Sequence, residues 1–296
     1  MTDDRATRGA LLAIFAATLW GVSGVIAGGV FDVVPPARVA EARSLIALVV
    51  LVPYAAFRGD LRPQGGMWKF ALLGLNLALV NVTFYWALEA LGVGPGATIQ
   101  FLGPILVLGW LVGVKHLTVR PIVWVAAGAA VVGVGFVTKA WTLDSSDVLG
   151  IGAGLVSAAA FAVYLLYGEY LGKTYKPVHI ATWGFIFASL FWVVVLPLWT
   201  FPTAIGAGAW IGLVIIGVLG TAVPFIAEFA ALRLIQSGIV GVIATAEPAI
   251  SAVAAVIMLG QALDPVQWVG VAVVVTAVAT VQRWGLAGTH PTSPIA

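Results

Sequence analysis

Three ionisable side chains, Arg43, Glu228 and Glu247, stand well inside long apolar runs of this chain. A charge near the centre of a bilayer costs roughly 3 kcal/mol or more unless it is paired, hydrated or protonated, so such groups are candidates for gripping a charged solute or carrying a proton. Glu247 immediately precedes Pro248 near the middle of its run, and Glu228 lies within about a turn of Arg233. Pairing among themselves or with backbone is the structural alternative. Around them, side chains recur at helical spacing. Ala16, Trp20, Ser23 and Ala27 form one stripe, and Ser157, Phe161, Tyr164 and Gly168 form another. Asn81, Tyr85 and Glu89, with Phe84 beside them, form a third stripe, while Gln100, Phe101 and Pro104 share a fourth run and Trp183 lies deep in the seventh. Aromatic rings with a few amides and hydroxyls suit a flat or cationic small molecule through stacking and cation–π contact. Packing and lipid contact are the alternatives for each ring.

Catalysis has little to stand on. The string Gly21-Val22-Ser23-Gly24 resembles the serine motif of intramembrane rhomboid proteases, but such a serine needs a base within hydrogen-bond reach. His116, His179 and His290 fall at the ends of runs or in the tail, so no buried histidine partner is expected. There is no cysteine and no H-E-x-x-H pattern. We expect no enzyme, no cofactor and no metal; Ser23 reads as an interior hydroxyl or a packing residue.

The elements that must hold these residues follow from composition. Of 296 residues, 61% are hydrophobic and 9% charged, with a mean hydropathy of +1.09. A soluble domain carries about 25% charged residues, so most of this surface must face lipid. A net charge of +2 without a dense basic cluster argues against nucleic acid as a partner. Crossing a core of about 30 Å takes roughly 17 to 25 helical residues. Ten runs qualify: 9–30, 36–57, 67–91, 94–114, 121–137, 148–170, 178–199, 210–232, 238–259 and 266–284. Trp68, Trp141, Trp199, Trp210, Trp268 and Trp284 fall where interfacial anchors belong. Gly24-x-x-x-Gly28, Gly109-x-x-x-Gly113 and Gly150-x-x-x-Gly154 are expected to mark close helix contacts, within one chain or between chains.

Eleven of the fourteen Lys and Arg residues fall on the face where the chain starts; Arg38, Arg43 and Lys139 fall toward the other. Positive charge is retained in the cytoplasm, so both termini are expected there, in a multi-pass inner-membrane protein. A shift of 144 residues lays Gly94 on Gly238, Pro104 on Pro248 and Pro121-x-x-Trp124-Val125 on Pro265-x-x-Trp268-Val269. The stripes of the first and sixth runs, Ala16 to Ala27 and Ser157 to Gly168, match at a shift of 141. The expected organisation is two five-helix repeats, residues 1–143 and 144–296, forming one unit. Five is odd, so the second repeat must enter the membrane inverted, an architecture common among secondary transporters. Pro104 and Pro248 would then sit near the midplane as hinges or cavity walls.

Taken together, Trp20-Gly21, Pro36 followed by Arg43, Gly103-Pro104, Glu247-Pro248 and Gln267-Trp268-Val269-Gly270 resemble the drug/metabolite transporter superfamily, and within it the EamA-type ten-helix exporters. Where that family usually carries a glutamate after Leu-Gly, this chain has Gln261 in the second half and Lys115-His116 in the first. The resemblance implies an all-α membrane protein with a central cavity between spans 1 to 4 and 6 to 9, and spans 5 and 10 packed outside. It also implies alternating-access export of a small molecule, amino acids and aromatic ones foremost, with lipid as the other partner and a monomer or weak homo-oligomer. A multidrug or organic-cation carrier, and a membrane scaffold without transport, are the competing readings.

Overall fold

The computed structural model describes residues 4–142 and 147–285; His290 and the expected boundary between residues 143 and 144 lie outside the described residues. All regular structure among the described residues is helical, and ten helical spans are long and apolar enough to cross a membrane. They are Asp4–Phe31, Pro36–Phe57, Met67–Leu91, Gly94–Gly113, Pro121–Thr138, Val148–Gly172, Pro177–Val195, Gly206–Leu232, Ser237–Leu259 and Pro265–Trp284. In lipid the backbone must satisfy its own hydrogen bonds, which these apolar sequences do as helices.

The ends follow local chemistry. Pro36, Pro121, Pro177 and Pro265 occupy first turns, where the missing N–H has no helical partner to lose. Asp147 caps the sixth span by accepting from the Gly150 backbone N–H at 2.7 Å. Asp264 and Gln267 form a reciprocal capping box on the tenth. The ninth span stops at Gly260, whose positive φ of 66° suits a residue without a Cβ. The seventh span ends at Val195, short of the expected 199, because Pro197 draws Leu196 out of helical geometry and a short 3₁₀ turn, Leu198–Thr200, follows.

Packing shows the inversion. The first span packs on the eighth and ninth, and the sixth packs on the third and fourth. The second span lies against the seventh and eighth, the third against the sixth and seventh, and the fifth against the tenth. Replacing each span by its counterpart five places away maps this set of contacts onto itself. The chain is thus two inverted five-helix repeats. Spans 5 and 10 cross closely where Gly133 and Gly270 meet: a Cβ on Gly270 would lie 2.7 Å from the Gly133 carbonyl oxygen.

The three glycine pairs divide. Gly150 abuts Ala90 and Leu91, and Gly154 abuts Ile99, so this pair does mark a close internal contact. Gly28, Gly109 and Gly113 meet nothing within 4 Å, and Gly24 meets only the Ser251 hydroxyl at 3.5 Å. Among the described residues, Gly28, Gly109 and Gly113 therefore mark no close helix contact, and Gly24 meets the ninth span only loosely. All six tryptophans expected as anchors are exposed.

Two of the three cations toward the sparsely charged face are paired. Arg38 donates to Glu41 at 2.7 Å, to the carbonyls of Leu196 and Pro197, and to the Thr200 hydroxyl. Lys139 meets Asp264 at 2.9 Å. The Lys139 ammonium and the Gln267 backbone N–H hold the Asp264 carboxyl below the usual carboxylate range.

Candidate functional site

The fourth and ninth spans are each interrupted by a tight right-handed turn, at Phe101-Leu102 and at Thr245, where sequence spacing suggests a kink. The fourth consists of Val93–Gln100 and Gly103–Gly113, and the ninth of Ser237–Ala244 and Ala246–Leu259. The cause is local. A proline four residues on cannot donate to the carbonyls of Gln100 and Ala244, and its ring crowds them. Thr245 closes the turn in the ninth span, its hydroxyl donating to the Val242 carbonyl at 2.6 Å. The two breaks adjoin each other through the half-helices: a Cβ on Gly241 would lie 3.2 Å from the Pro104 ring.

Each break also packs on the leading span of the opposite repeat. Gly103 approaches the Ala158 carbonyl and Phe161, with a Cβ there only 3.0 Å from that oxygen. At the counterpart crossing the broken span carries Glu247, and the first span supplies the small residue: a Cβ on Gly21 would lie 2.8 Å from the Glu247 backbone oxygen. Gly21 therefore makes room for the backbone of the ninth span at Glu247, where an acid stands in place of its repeat counterpart Gly103.

The eighth span has a third discontinuity, the π-helical segment Val218–Ala222 between Gly206–Gly217 and Val223–Leu232. Pro224 lies four residues after Gly220 and cannot bond the Gly220 carbonyl. Arg43, from the second span, supplies the missing donor: its Nη2 reaches that oxygen at 2.6 Å and its Nε donates to the Thr221 hydroxyl at 2.8 Å. Thr221 in turn donates to the Ile216 carbonyl at 2.9 Å. Ser23 donates to the Trp20 carbonyl at 3.1 Å and rests against Gly220, where a Cβ would lie 2.6 Å from its hydroxyl.

Toward the face where the chain starts lies an aromatic group with an acid in it. Glu228 is 1% exposed and accepts a hydrogen bond from Tyr164, itself 2% exposed. Arg233, the neighbour that proximity in sequence suggests, is exposed at the span end. Phe225 is the hub of the rings: it makes edge contacts with Trp20, Tyr164 and Phe185, with centroids 5.2, 5.7 and 4.9 Å away. Phe161 stacks on Tyr164, and Phe101 meets Phe161 edge-on. Sequence stripes had located Trp20, Phe101, Phe161 and Tyr164 but not Phe225 or Phe185. The available signal was spacing, since Phe225 stands one turn before Glu228 on the same helix face.

The remaining residues divide. Gln100 donates to Ser157 at 3.1 Å, and Ser157 to the Val80 carbonyl at 3.3 Å, tying spans four, six and three. Asn81 bonds within its own helix, to the Leu77 carbonyl at 2.7 Å. Phe84 pairs with Tyr85, and Tyr85 with Phe31, apart from the Phe225 group. Glu89 is exposed. Trp183 belongs to a ladder with His179 and Phe187, two residues from Phe185 and so on the far side of the seventh helix.

The expectation of no buried histidine is corrected: His179 is fully buried, because the chain after the second span folds over it and the Asp60 carbonyl meets its Nδ1 at 2.7 Å. Its partners are Asp60 and the rings of Phe70, Tyr175 and Trp183, while Ser23 bonds its own helix.

Glu247 and Arg43 complete the centre. Both are partly exposed although they face neighbouring spans. Glu247 makes no hydrogen bond or ion pair with another described residue, and the Arg43 Nη1 has no hydrogen-bond partner among the described residues. No metal-binding cluster occurs among the described residues.

The sequence pattern of the EamA-like transporter family matches twice, over residues 7–139 and 148–282. The threonine/homoserine exporter RhtA of Escherichia coli (strain K12) is 26% identical over 209 residues, covering 69% of this chain and 67% of that protein. The uncharacterized transporter YvbV of Bacillus subtilis (strain 168) is 26% identical over 201 residues, covering 66% and 64%. A solved crystal structure shares the fold with a TM-score of 0.79 at 18% identity, over 92% of this chain and 96% of that one.

Proposed function

The chain belongs to the EamA-like transporter family, and from that premise we propose that it exports amino acids or related small metabolites by alternating access. In this reading residues 1–143 and 144–296 act as the two exchanging repeats. The membrane is the inner one, with both termini in the cytoplasm, as the bias of Lys and Arg supports.

The observation that carries the proposal is the pair of counterpart breaks at Pro104 and Pro248. Half-helix ends at mid-depth expose backbone groups to a solute, and a broken span can tilt its halves separately. In this reading Trp20, Ser23, Gln100, Phe101, Phe161, Tyr164, Glu228 and Glu247 form the substrate site; Gly103 abuts Phe161 and Gly21 abuts the Glu247 backbone, and Trp20, Phe161 and Phe225 keep part of their surface free. Free ring surface beside polar groups supports an aromatic amino acid as the favoured cargo. A second reading, small hydroxylated amino acids, is favoured by two observations. The rings of the Phe225 group are largely engaged with one another, and the relative RhtA is named a threonine/homoserine exporter.

Counterflow in proteoliposomes across amino acids, nucleobases, sugars and organic cations tests the proposal. Saturable exchange of an amino acid is expected, abolished by Ser23→Leu, which would drive a side chain into Gly220. Absence of saturable flux for every solute would overturn the transport reading; saturable flux confined to organic cations would overturn the cargo.

A further inference from the structure

An amino acid carries two opposite charges on adjacent groups, and a buried site must answer both. Building on the export reading, we propose that Arg43 and Glu247 are the two poles of the substrate site, the guanidinium receiving the α-carboxylate and the carboxylate receiving the α-ammonium. The site is therefore built for zwitterions.

The geometry separates the poles and leaves each unfinished. Arg43 is tethered by Nε and Nη2 to Thr221 and to the carbonyl that Pro224 leaves free, so the guanidinium is fixed in place while Nη1 stays unengaged. Glu247 starts the second half of the ninth span and has no hydrogen-bonding partner among the described residues. The two approach the same short stretch of the first span from different sides. Gly21 touches the Glu247 backbone, and Ser23 touches Gly220, the residue that Arg43 grips. Two residues of helix rise only about 3 Å, so the two poles meet the first span at nearly the same depth.

No ion pair within 4.0 Å joins Arg43 to Glu247. Two opposite charges in a low-dielectric interior gain most by closing the gap. Here the tether on Gly220 and Thr221 keeps it open. A zwitterion satisfies both poles and brings no net charge into the membrane. An organic cation leaves the guanidinium uncompensated, and an organic anion leaves the carboxylate so, each at a large desolvation cost.

The test is competition in counterflow with the purified, reconstituted protein. Radiolabelled L-phenylalanine and L-threonine are exchanged and competed with the parent amino acid, its amide (cation only) and its N-acetyl derivative (anion only). In the wild type both derivatives should compete about tenfold or more weakly than the parent, the loss expected for one charge-assisted contact. Arg43→Gln should raise KM for the amino acid and bring the amide level with it. Glu247→Gln should do the same for the N-acetyl derivative.

Because Arg43 also braces the π segment, the double variant Arg43→Gln/Pro224→Ala separates the roles: replacing the proline by alanine returns an N–H to the Gly220 carbonyl without restoring charge. If the double variant recovers normal KM and discrimination, Arg43 is only a brace and the assignment falls. Equal competition by the amide in the wild type also overturns it while leaving export standing. No saturable flux of either amino acid would overturn the export reading and this assignment with it.

Discussion

Tyr164→Phe isolates one buried hydrogen bond, because phenylalanine keeps the ring that packs on Phe161, Phe225 and Phe229. What disappears is the hydroxyl that donates to Glu228, leaving a carboxyl that is 1% exposed without that partner. Orphaning a buried polar group costs about 1–3 kcal/mol. At about 2–4 °C per kcal/mol for a large domain, apparent Tm should fall by roughly 2–12 °C. Glu228→Gln should cost less, since the amide can still accept from the hydroxyl. Adding Glu228→Met to Tyr164→Phe removes both polar partners at similar volume and should restore most of the loss, with a coupling energy of about 1–2 kcal/mol. Thermal unfolding in detergent, followed by tryptophan emission, of the wild type, Tyr164→Phe, Glu228→Gln, Glu228→Met and the double variant reads all five proteins and closes the cycle. If Tyr164→Phe falls within about 0.5 kcal/mol of the wild type, or if the two losses simply add, the bond does not stabilise the interior.

Arg38→Ala strands Glu41, which is fully buried, and should destabilise by about 3–5 kcal/mol; Arg38→Ala/Glu41→Met should recover much of that in the same unfolding assay. Gly21→Leu should separate the first and ninth spans, lowering stability by about 1–3 kcal/mol and abolishing flux, whereas Gly28→Leu, with nothing within 4 Å, should leave both unchanged. Asp264 gives a pH dependence with a defined sign. Its carboxyl is depressed by Lys139 and by the cap on the Gln267 N–H, so its contribution is present above the ordinary carboxylate pKa and is lost as pH falls through the depressed one. Asp264→Asn should therefore be less stable than the wild type at neutral pH, and the difference should close in strong acid; a pH series of unfolding midpoints decides it.

Much of the architecture was legible because lipid imposes one-dimensional rules. A span must be apolar and continuous in sequence, so the runs 36–57 and 67–91 coincide with the observed helices. The repeat was legible through prolines and tryptophans, whose positions carry backbone and interface meaning that survives divergence of the aliphatic residues between them. The site was legible only in part. Stripes located Trp20, Phe161 and Tyr164, since neighbours on one helix face are fixed by the helical period. They also drew in Glu89, which is exposed, and Trp183, which joins a separate ladder.

Partners that come from another span leave no periodic trace. Glu228 stands five residues from Arg233 yet bonds Tyr164, 64 residues away. The carbonyl that Pro224 leaves unbonded can be read from the sequence by counting back four residues, but its answer in Arg43, 177 residues from Gly220, depends on how the second span lies against the eighth. Sequence alone determined the membrane, the ten spans, their alternating direction and the interruptions at Pro104 and Pro248, because each follows from the solvent or from the covalent geometry of proline. Only the tertiary structure decided which charges meet and which are held apart. Pairing is a property of distance across packed helices, and a fixed helical period says nothing about that distance.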